Sequence, residues 1–397
     1  MEHLSARVKG MSLSATMAVN QRSRELKARG VDVINLSVGE PDFFTPDHIK
    51  NAAKQAIDDN ITFYPPAQGF PELVKAVVEK FKRENELDYD PSQVVVSCGA
   101  KNSLANTILA LIEKGDEVIV PAPYWVTYVE LVKMAEGINI EIPSSIETNF
   151  KVTAKQIEEK ITSKTKAILL CSPSNPSGAI YNEEELGEIV KVVEKYKHVY
   201  IISDEIYEHI NFVGKHVSPA NYPSIKDRVI VINGVSKAYA MTGWRIGYMA
   251  GPSWIAKACI KLQGQLITGP STISQQASIA ALNGDQSCVK EMLTAFKRRR
   301  DLVVDLTSKM EGVKTYTPSG AFYVFPDVSS FFGKSYGGTR INSANDLGLY
   351  LLEKAHIAVV PGEAFGNPDC IRISFANSDE NLIEAMNRMK SALQDLK

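Results

Sequence analysis

The 397-residue sequence contains little cysteine, little histidine and no long apolar run. Its five cysteines are widely scattered and form no CxxC pair, which argues against a disulfide framework or a cysteine-based zinc site. The six histidines include no HExxH motif, so no metal is expected. No stretch approaches the roughly 18 apolar residues of a membrane helix, and residues 1–10 lack the apolar segment of a secretory signal. Together these absences predict a cytoplasmic protein with reduced thiols.

An excess of charge of either sign is also missing. Lys and Arg number 44, Asp and Glu number 46, and the net charge is −2. This balance argues against a protein that coats nucleic acid, which usually carries a basic excess. The apolar fraction of 44% and the charged fraction of 23% are ordinary for a soluble globular protein. At about 150 residues per domain, the length predicts two to three domains.

Short apolar runs alternate with longer amphipathic segments through the middle of the chain. The runs are rich in Val and Ile and mostly lack the alternation of a half-buried strand, which is typical of parallel strands covered by helices on both faces. The segments between them are predicted as helices, for example 101–113 and the segment that follows Asn182, a helix N-cap. We therefore expect an α/β fold whose mostly parallel sheet has strands at 94–97, 118–120, 138–142, 167–171, 199–203, 229–233 and 246–251.

The C-terminal third has a different pattern. A long basic helix is predicted over 285–310, including the run Lys297-Arg298-Arg299-Arg300, followed by strands near 322–325 and 371–375 and a final helix over 379–396. This order predicts a smaller α+β domain. The expected division is an N-terminal arm that joins the small domain (1–45), a large domain (46–284) and a small C-terminal domain (285–397).

Three common active-site signatures are missing. No GxG occurs, so the dinucleotide fingerprint GxGxxG is absent. Val328 stands where the first glycine of a Walker loop ending in Gly333-Lys334-Ser335 would be, and no GxSxG elbow exists. These absences disfavour a Rossmann dehydrogenase, a P-loop NTPase and an α/β-hydrolase.

Polar residues do follow several of the predicted strands. Because ligands bind at the carboxyl ends of the strands in an open α/β sheet, these residues are expected to share one crevice. They are Gly99, Ala100 and Lys101 after the first strand, Asn175 after the fourth, Asp204 and Tyr207 after the fifth, and Lys237 after the sixth.

This set suits the chemistry of pyridoxal phosphate. That cofactor needs a lysine for a Schiff base, a carboxylate for its ring nitrogen, and donors for its phenolate and phosphate. Lys237 can supply the amine and Asp204 the carboxylate. A helix that starts after Gly99 can bind a phosphate through its backbone N–H groups, and Arg245 can add a charge-assisted contact.

Several motifs resemble those of a known family. Class I pyridoxal-phosphate-dependent aminotransferases carry a lysine-attachment signature that resembles residues 234–247, GVSKAYAMTGWRIG. Their Asn-Pro segment resembles residues 172–178, SPSNPSG, and their Asp-x-x-Tyr segment resembles residues 203–207, SDEIY. Residues 39–42, GEPD, and 371–374, IRIS, also fit. The motifs occur in the family's order and cover nearly the whole chain. Within the family, the sequence most resembles the bacterial aspartate aminotransferases.

The resemblance implies a role for each cofactor-binding residue. Lys237 would form the Schiff base and move the proton between substrate and cofactor, while Asp204 would pair with the ring nitrogen. Tyr207 and Asn175 would bind the phenolate oxygen, and Trp125 would stack on the ring and contact substrate. The phosphate would be bound by Gly99, Ala100, Lys101, Arg245 and, from the neighbouring subunit of a homodimer, Tyr64.

The resemblance also implies how substrates bind. Arg372 would bind the α-carboxylate, with Gly39 offering its backbone and Asn175 nearby. Lys101 would bind a distal carboxylate, as a lysine does at this place in one bacterial branch, and Ser14 and Thr16 match that branch. The implied reaction is transfer of the amino group of aspartate to 2-oxoglutarate in ping-pong half-reactions.

Other functions remain open at the level of sequence. Related enzymes accept aromatic amino acids or prephenate, and a β-lyase could use the same fold and cofactor. A pyridoxal-phosphate-binding regulatory domain is disfavoured, because fewer than 50 residues precede the first helix of the large domain and no basic patch is apparent.

Overall fold

A computed structural model describes residues 3–12 and 15–397. Its helices bear out the amphipathic pattern: the predicted segments 101–113, 285–310 and 379–396 correspond to α5, α11 and α13 below. Asn182 caps α8, since its side chain accepts a hydrogen bond from the Glu185 N–H at 2.8 Å. The helices are Ala6–Lys9 (α1), Ala15–Ala28 (α2), Asp47–Asp58 (α3), Pro71–Asn85 (α4), Ala100–Leu111 (α5), Thr127–Met134 (α6), Ala154–Glu158 (α7), Glu183–Lys195 (α8), Ser253–Leu266 (α9), Thr272–Asn283 (α10), Ser287–Ser308 (α11), Ala344–Lys354 (α12) and Asp379–Gln394 (α13).

The strands include all seven predicted for the middle of the chain. They are Ile34–Asn35 (β1), Val94–Ser97 (β2), Glu117–Pro121 (β3), Ile138–Ile142 (β4), Thr165–Cys171 (β5), Tyr200–Asp204 (β6), Val229–Gly234 (β7), Gly247–Ala250 (β8), Tyr323–Val324 (β9), Ser335–Tyr336 (β10), Thr339–Arg340 (β11), Ile357–Ala358 (β12), Val360–Pro361 (β13) and Ile371–Ser374 (β14).

One seven-stranded sheet organises residues 94–250, in the order β2-β8-β7-β6-β5-β3-β4. Its pairs are parallel except that β8 runs antiparallel to both β2 and β7, so the prediction of a mostly parallel α/β sheet is confirmed. Residues 235–246 join β7 to β8 without a crossover helix, and such a connection suits an antiparallel pair. The carboxyl ends of β2, β5, β6 and β7 consequently lie along one edge of the sheet.

Both faces of this sheet are buried, as the apolar runs predict, except at the edge strand β4, where Ile138 is exposed. Alternate residues of one strand enter different cores: Val229 and Val231 pack with helices α4 and α8, whereas Ile230 and Ile232 pack with α5 and α9. Burial on both faces explains why these strands show near-continuous rather than alternating hydrophobicity.

A further core is built from the C-terminal third and residues near the N-terminus. Strands β13, β14 and β9 form an antiparallel sheet within it, and β1 pairs in parallel with β12. Ile34 and Leu36 belong to the same core as Phe296, Phe322 and Ile373. The exact domain boundaries at residues 46 and 285 stay a prediction. Among the described helices, none has both the length and the apolar character needed to span a membrane.

Candidate active site

A cavity of about 330 Å³ opens at the edge where β5, β6 and β7 end and helix α5 begins. It brings together ten of the candidate residues: Gly39, Ala100, Lys101, Trp125, Asn175, Asp204, Tyr207, Lys237, Arg245 and Arg372. Thr16 also lines it, whereas Ser14 lies outside the described residues.

Lys237 lies in the β7–β8 connection with its amine inside the cavity. Its Nζ donates a hydrogen bond to the Gly39 carbonyl at 2.5 Å and lies 5.8 Å from the centre of the Tyr207 ring. Burial lowers the pKa of Lys237 to about 8, Glu40 opposes this shift, and the nearby Arg372 adds to it. A larger fraction of this amine is therefore neutral and nucleophilic near pH 7 than for an ordinary lysine.

Asp204 is the last residue of β6 and is buried, with 4% of its surface exposed. Tyr128 donates a hydrogen bond to its Oδ2 at 2.7 Å, and the Ile206 N–H donates to Oδ1 at 3.3 Å. Burial raises the pKa of Asp204 to about 6, although both hydrogen bonds oppose the shift. A cation next to this carboxylate would favour its charged form.

Tyr128 is a site residue that the sequence motifs did not reveal. It lies in the first turn of α6, three residues after Trp125, and the two rings meet edge to face with their centres 5.5 Å apart. Spacing of three residues from a candidate ring-stacking residue was the signal that could have identified it.

Replacing Tyr128 by phenylalanine is expected to shift the pH dependence of activity. A hydrogen bond to a charged group contributes about 1.5–3 kcal/mol, and one pKa unit corresponds to about 1.4 kcal/mol. Loss of the donor raises the pKa of Asp204, so the acid limb of kcat/KM should move to higher pH by roughly one unit. Tyr124→Phe is the matched control, because the Tyr124 hydroxyl binds Glu141 instead, at 2.9 Å. An unchanged acid limb in Tyr128→Phe would contradict the assignment.

Arg372 is a buried cation without an acid partner among the described residues. Only 2% of its surface is exposed, its Nη1 donates to Asn175 Oδ1 at 2.9 Å, and its Nη2 donates to the Ser37 carbonyl at 2.6 Å. The guanidinium lies 4.6 Å from the ring centre of Tyr323 and 5.1 Å from that of Phe365. Its Nε is buried and has no hydrogen-bond partner. Because a buried charge is costly unless it is paired, this geometry favours an anionic ligand.

The start of helix α5 forms a tight cradle around Arg245. Gly99 caps the helix at φ +84°, and a Cβ built on it would lie 2.4 Å from Arg245 Nη2. A Cβ on Gly247 would lie 2.1 Å from the Ala100 amide nitrogen. Only glycine permits both approaches. The first amides of the helix lack partners within it, so with the guanidinium they make an anion-binding corner.

Lys101 and Trp125 form one wall of the cavity. The Lys101 Nζ lies 4.8 Å from the centre of a Trp125 ring. Burial and the charge of Arg245 both lower the pKa of Lys101. The charge of Arg245 disfavours the charged form of Lys101, and an anion bound in the cavity would favour it.

Asn175 and Tyr207 line the cavity from the segments that follow β5 and β6, and their partners are protein groups. The Asn175 oxygen accepts from Arg372, which leaves its amide nitrogen as the free donor. The Tyr207 hydroxyl shares a hydrogen bond of 2.8 Å with the hydroxyl of Tyr323, a second lining residue that the motifs did not reveal.

Tyr64 is not brought into this cavity. It is 90% exposed, and its neighbour Phe63 is 82% exposed, beside a shallow groove formed with residues 269–272. Its predicted role is in a neighbouring subunit, and that role stays a prediction.

A buried ionic cluster supports the site from behind. Glu208 accepts hydrogen bonds from Lys80, from Asn85 at 2.6 Å and from Asn233 at 2.8 Å. Burial would raise the pKa of Glu208, but the charge of Lys80 holds it well below the usual value. The cluster ties the segment after Asp204 to the end of β7, just before the connection that carries Lys237.

The charges that face the cavity are strongly unbalanced. Four cations line it, namely Lys101, Lys237, Arg245 and Arg372, against one acid among the described lining residues, Asp204. A ligand that carries several negative charges would balance them. The overall net charge of −2 gives no hint of this local excess.

A mostly parallel α/β sheet with a cationic cavity at the ends of its strands is typical of an enzyme that binds anionic ligands. The family model described as "Aminotransferase class I and II" matches residues 31–389, so the chain belongs to the class I and II aminotransferase family. Enzymes of this family depend on pyridoxal phosphate.

The chain is similar over its full length to proteins of known sequence and structure. A "Probable aspartate/prephenate aminotransferase" from Rickettsia bellii is 46% identical, over 100% of both chains. The crystal structure of an aspartate aminotransferase from Rhizobium meliloti is 43% identical, with a TM-score of 0.96 over 100% of both chains. Another, from Thermus thermophilus with maleate, is 40% identical, with a TM-score of 0.93 over 99% of this chain and 100% of that one.

Proposed function

We propose that this protein is a pyridoxal-phosphate-dependent aspartate aminotransferase that passes the amino group of aspartate to 2-oxoglutarate. The single observation that carries the proposal is the excess of four cations over one acid around the cavity. The cofactor of such a reaction carries a phosphate, and aspartate and 2-oxoglutarate each carry two carboxylates that these cations can bind. The family and the names of the relatives support the same activity.

The lining residues fit the cofactor. The corner made by Gly99, Ala100 and Arg245 suits a phosphate, as the close approach of the Arg245 guanidinium to the Gly99 backbone indicates. The free donor of Asn175 and the Tyr207 hydroxyl suit the phenolate oxygen. Asp204 is buried and forms no ion pair with another described residue, so its carboxylate suits a protonated ring nitrogen.

Each chain residue then has a defined task in the reaction. Bound pyridoxal phosphate supplies a carbonyl carbon that takes the amino group and a ring that draws electrons from the substrate Cα. Lys237 would hold the cofactor through its amine, and the same amine would move the proton at the substrate Cα. Arg372 orients the α-carboxylate with the Gly39 backbone, and Asp204 holds the proton on the ring nitrogen. Trp125 supports the face of the ring.

Lys101 is the proposed contact for the distal carboxylate of aspartate and glutamate. The Thermus thermophilus aspartate aminotransferase was crystallised with maleate, a four-carbon dicarboxylate, which supports dicarboxylate binding by that relative. Lys101 and Trp125 both line the cavity, so an amine at this ring is available to a ligand bound there.

Lys101→Met is expected to reduce kcat/KM for aspartate and glutamate by roughly 10- to 100-fold. A charge-assisted hydrogen bond contributes about 1.5–3 kcal/mol, and about 1.4 kcal/mol is tenfold. Activity toward phenylalanine, which has no distal carboxylate, should change little. Lys133→Met is the control, since Lys133 is an exposed lysine paired with Glu130 on α6. An equal loss for all amino donors would refute the assignment.

A substrate screen on the purified, cofactor-loaded protein tests the proposal as a whole. Aspartate and glutamate should each convert the bound cofactor to its amine form, which is visible in the absorption spectrum. Failure of both would overturn the proposed substrates. Release of pyruvate and ammonia from a β-substituted amino acid would favour a β-lyase.

Prephenate or an aromatic amino acid is the second candidate substrate. The Rickettsia bellii relative is named for aspartate and prephenate together. Prephenate is also an anion with two carboxylates, so the same cations could bind it.

We further propose that the protein acts as a homodimer in the cytoplasm. Tyr64 and Phe63 are almost fully exposed, and a second copy would both cover them and bring Tyr64 to a phosphate. All five cysteines are free thiols in the structure, which supports a reducing compartment.

A further inference from the structure

Residues 39–45, which we call the strap, connect the N-terminal segment to helix α3 and reach the active-site cavity at Gly39, which lines it. Both ends of the strap bind the β7–β8 connection that carries Lys237. At one end, Lys237 Nζ donates to the Gly39 carbonyl at 2.5 Å, and Thr242 donates to Glu40 Oε2 at 3.0 Å. At the other end, Thr45 Oγ1 donates to the Ala240 carbonyl at 2.7 Å.

The middle of the strap is held from the opposite side, by helix α11. Arg299 Nη1 donates to Asp42 Oδ1 at 2.8 Å, and Arg299 Nε donates to Asp379 Oδ1 at 3.2 Å, at the start of α13. The guanidinium lies 5.1 Å from the Phe43 ring centre, and Phe43 meets Phe296 edge to face at 5.4 Å. Arg299 therefore joins the strap to two helices of the C-terminal core.

The basic run 297–300 does not behave as a uniform solvated face. Arg299 is 7% exposed, and its burial is compensated by two carboxylates, as a buried guanidinium requires. Arg298 binds the same Asp379 through two hydrogen bonds of 2.9 Å, but its side chain is 62% exposed and it forms no hydrogen bond or ion pair with the strap among the described residues. Arg298 and Arg299 thus share Asp379 as a partner, and Arg299 also binds Asp42.

We infer that Arg299 is a positioning residue for substrate binding, acting through Asp42 on Gly39. This inference rests on the proposed function, in which Gly39 and Arg372 bind the α-carboxylate together. Ser37 lies two residues before the strap, and its carbonyl accepts a hydrogen bond from Arg372 Nη2 at 2.6 Å. The position of the strap therefore affects two backbone groups of the proposed carboxylate site, those of Ser37 and Gly39. Between its two ends, Asp42–Arg299 is the ion pair described for the strap, with Arg299 buried and Asp42 partly exposed. A charge-assisted hydrogen bond of this kind is stronger than a neutral one.

The consequence is a specific kinetic pattern. Every amino donor and 2-oxo acid acceptor carries the same carboxylate next to the reacting carbon, so a displaced Gly39 raises KM for all of them alike. Lys237 stays in the β7–β8 connection, with which neither Asp42 nor Arg299 forms a described hydrogen bond, so kcat should change much less. A residue that acts on the distal group, such as Lys101, would instead affect dicarboxylates alone.

Arg299→Gln, Asp42→Asn and the double variant test this on the full-length, cofactor-loaded enzyme, with Arg298→Gln as the matched control. Steady-state kinetics are measured with aspartate and with phenylalanine as donors, together with the thermal midpoint Tm of each variant. We expect KM to rise about tenfold for both donors in Arg299→Gln and Asp42→Asn, with kcat within about threefold of wild type. The double variant should be no worse than the worse single variant, because the pair acts as a unit. Arg298→Gln should keep the wild-type KM, whatever its effect on Tm.

The outcomes separate this inference from the function on which it rests. A wild-type protein that transfers no amino group overturns the proposed function. If the wild type is active and Asp42→Asn leaves KM unchanged, the proposed role of the strap is wrong. Asp42→Asn also decides the question if Arg299→Gln does not fold, because the Asp42 side chain is the more exposed of the two. An equal rise of KM in Arg298→Gln would also overturn it, because the effect would then come from Asp379 and not from Asp42.

Discussion

Replacing Lys237 by alanine is expected to abolish amino transfer while the fold is retained. The Lys237 amine has two tasks in the proposed reaction, covalent attachment of the cofactor and movement of the proton at the substrate Cα. General acid–base catalysis by a positioned group alone contributes about 10²- to 10⁴-fold, so kcat/KM should fall by at least about 10⁴-fold when both tasks are lost. Lys237 lines the cavity and belongs to none of the described hydrophobic cores, so the variant should keep the fold.

Covalent attachment can be measured separately from activity. Reduction of the loaded protein with borohydride, followed by peptide mass analysis, should place the cofactor on Lys237 in the wild type and on no residue in Lys237→Ala. Lys191→Ala serves as the control, because Lys191 is an exposed lysine on α8 paired with Glu188. Attachment that persists in Lys237→Ala would show that another lysine holds the cofactor.

Conservative replacement of Arg372 by lysine is expected to cost roughly 10²- to 10³-fold in kcat/KM for every amino donor. The buried guanidinium lies close to two aromatic rings and presents a planar fork that a lysine ammonium cannot reproduce. Loss of one partner from a buried, hydrogen-bonded charge pair costs about 2–5 kcal/mol, or roughly 30- to 4,000-fold, and the expected loss lies within that range. The loss should appear mainly in KM, since the α-carboxylate contact is present before the reaction begins.

The comparison variant is Arg388→Lys, at an arginine that binds Asp32 and Glu384 far from the cavity. It should keep wild-type kinetics. A loss in Arg372→Lys that affects dicarboxylates but spares phenylalanine would assign Arg372 to the distal carboxylate and would exchange its role with that of Lys101.

The sequence predicts the central sheet well, because burial on both faces leaves a strong signal. Each predicted strand from 94 to 251 overlaps an observed one, and the long helices α5, α11 and α13 match to within a few residues. The antiparallel direction of β8 does not show in the hydrophobic pattern, because its residues are as apolar as those of the parallel strands. Strand direction follows from the connection, and residues 235–246 do not resemble a crossover helix.

The site is predictable where a motif fixes chemistry and spacing together. Asp204 and Lys237 come directly after apolar strands, and the structure brings both to one cavity. Tyr128 and Tyr323 were missed because a tyrosine within an apolar segment is most often a core residue, and only tertiary contacts show its hydroxyl on Asp204 or Tyr207. Arg299 was missed for the opposite reason: a basic run on a helix is usually a solvated face, and its burial depends on Asp42, more than 250 positions away in the sequence.

Transfer of an amino group between an amino acid and a 2-oxo acid is the central activity proposed for this protein. The most direct measurement follows the nitrogen: purified, cofactor-loaded protein is incubated with aspartate carrying heavy nitrogen and with unlabelled 2-oxoglutarate, and the products are analysed by mass spectrometry. We expect the label to appear in glutamate, with oxaloacetate formed in equal amount, and we expect Lys237→Ala to give neither. Release of the label as ammonia, with no labelled glutamate, would contradict the proposed activity.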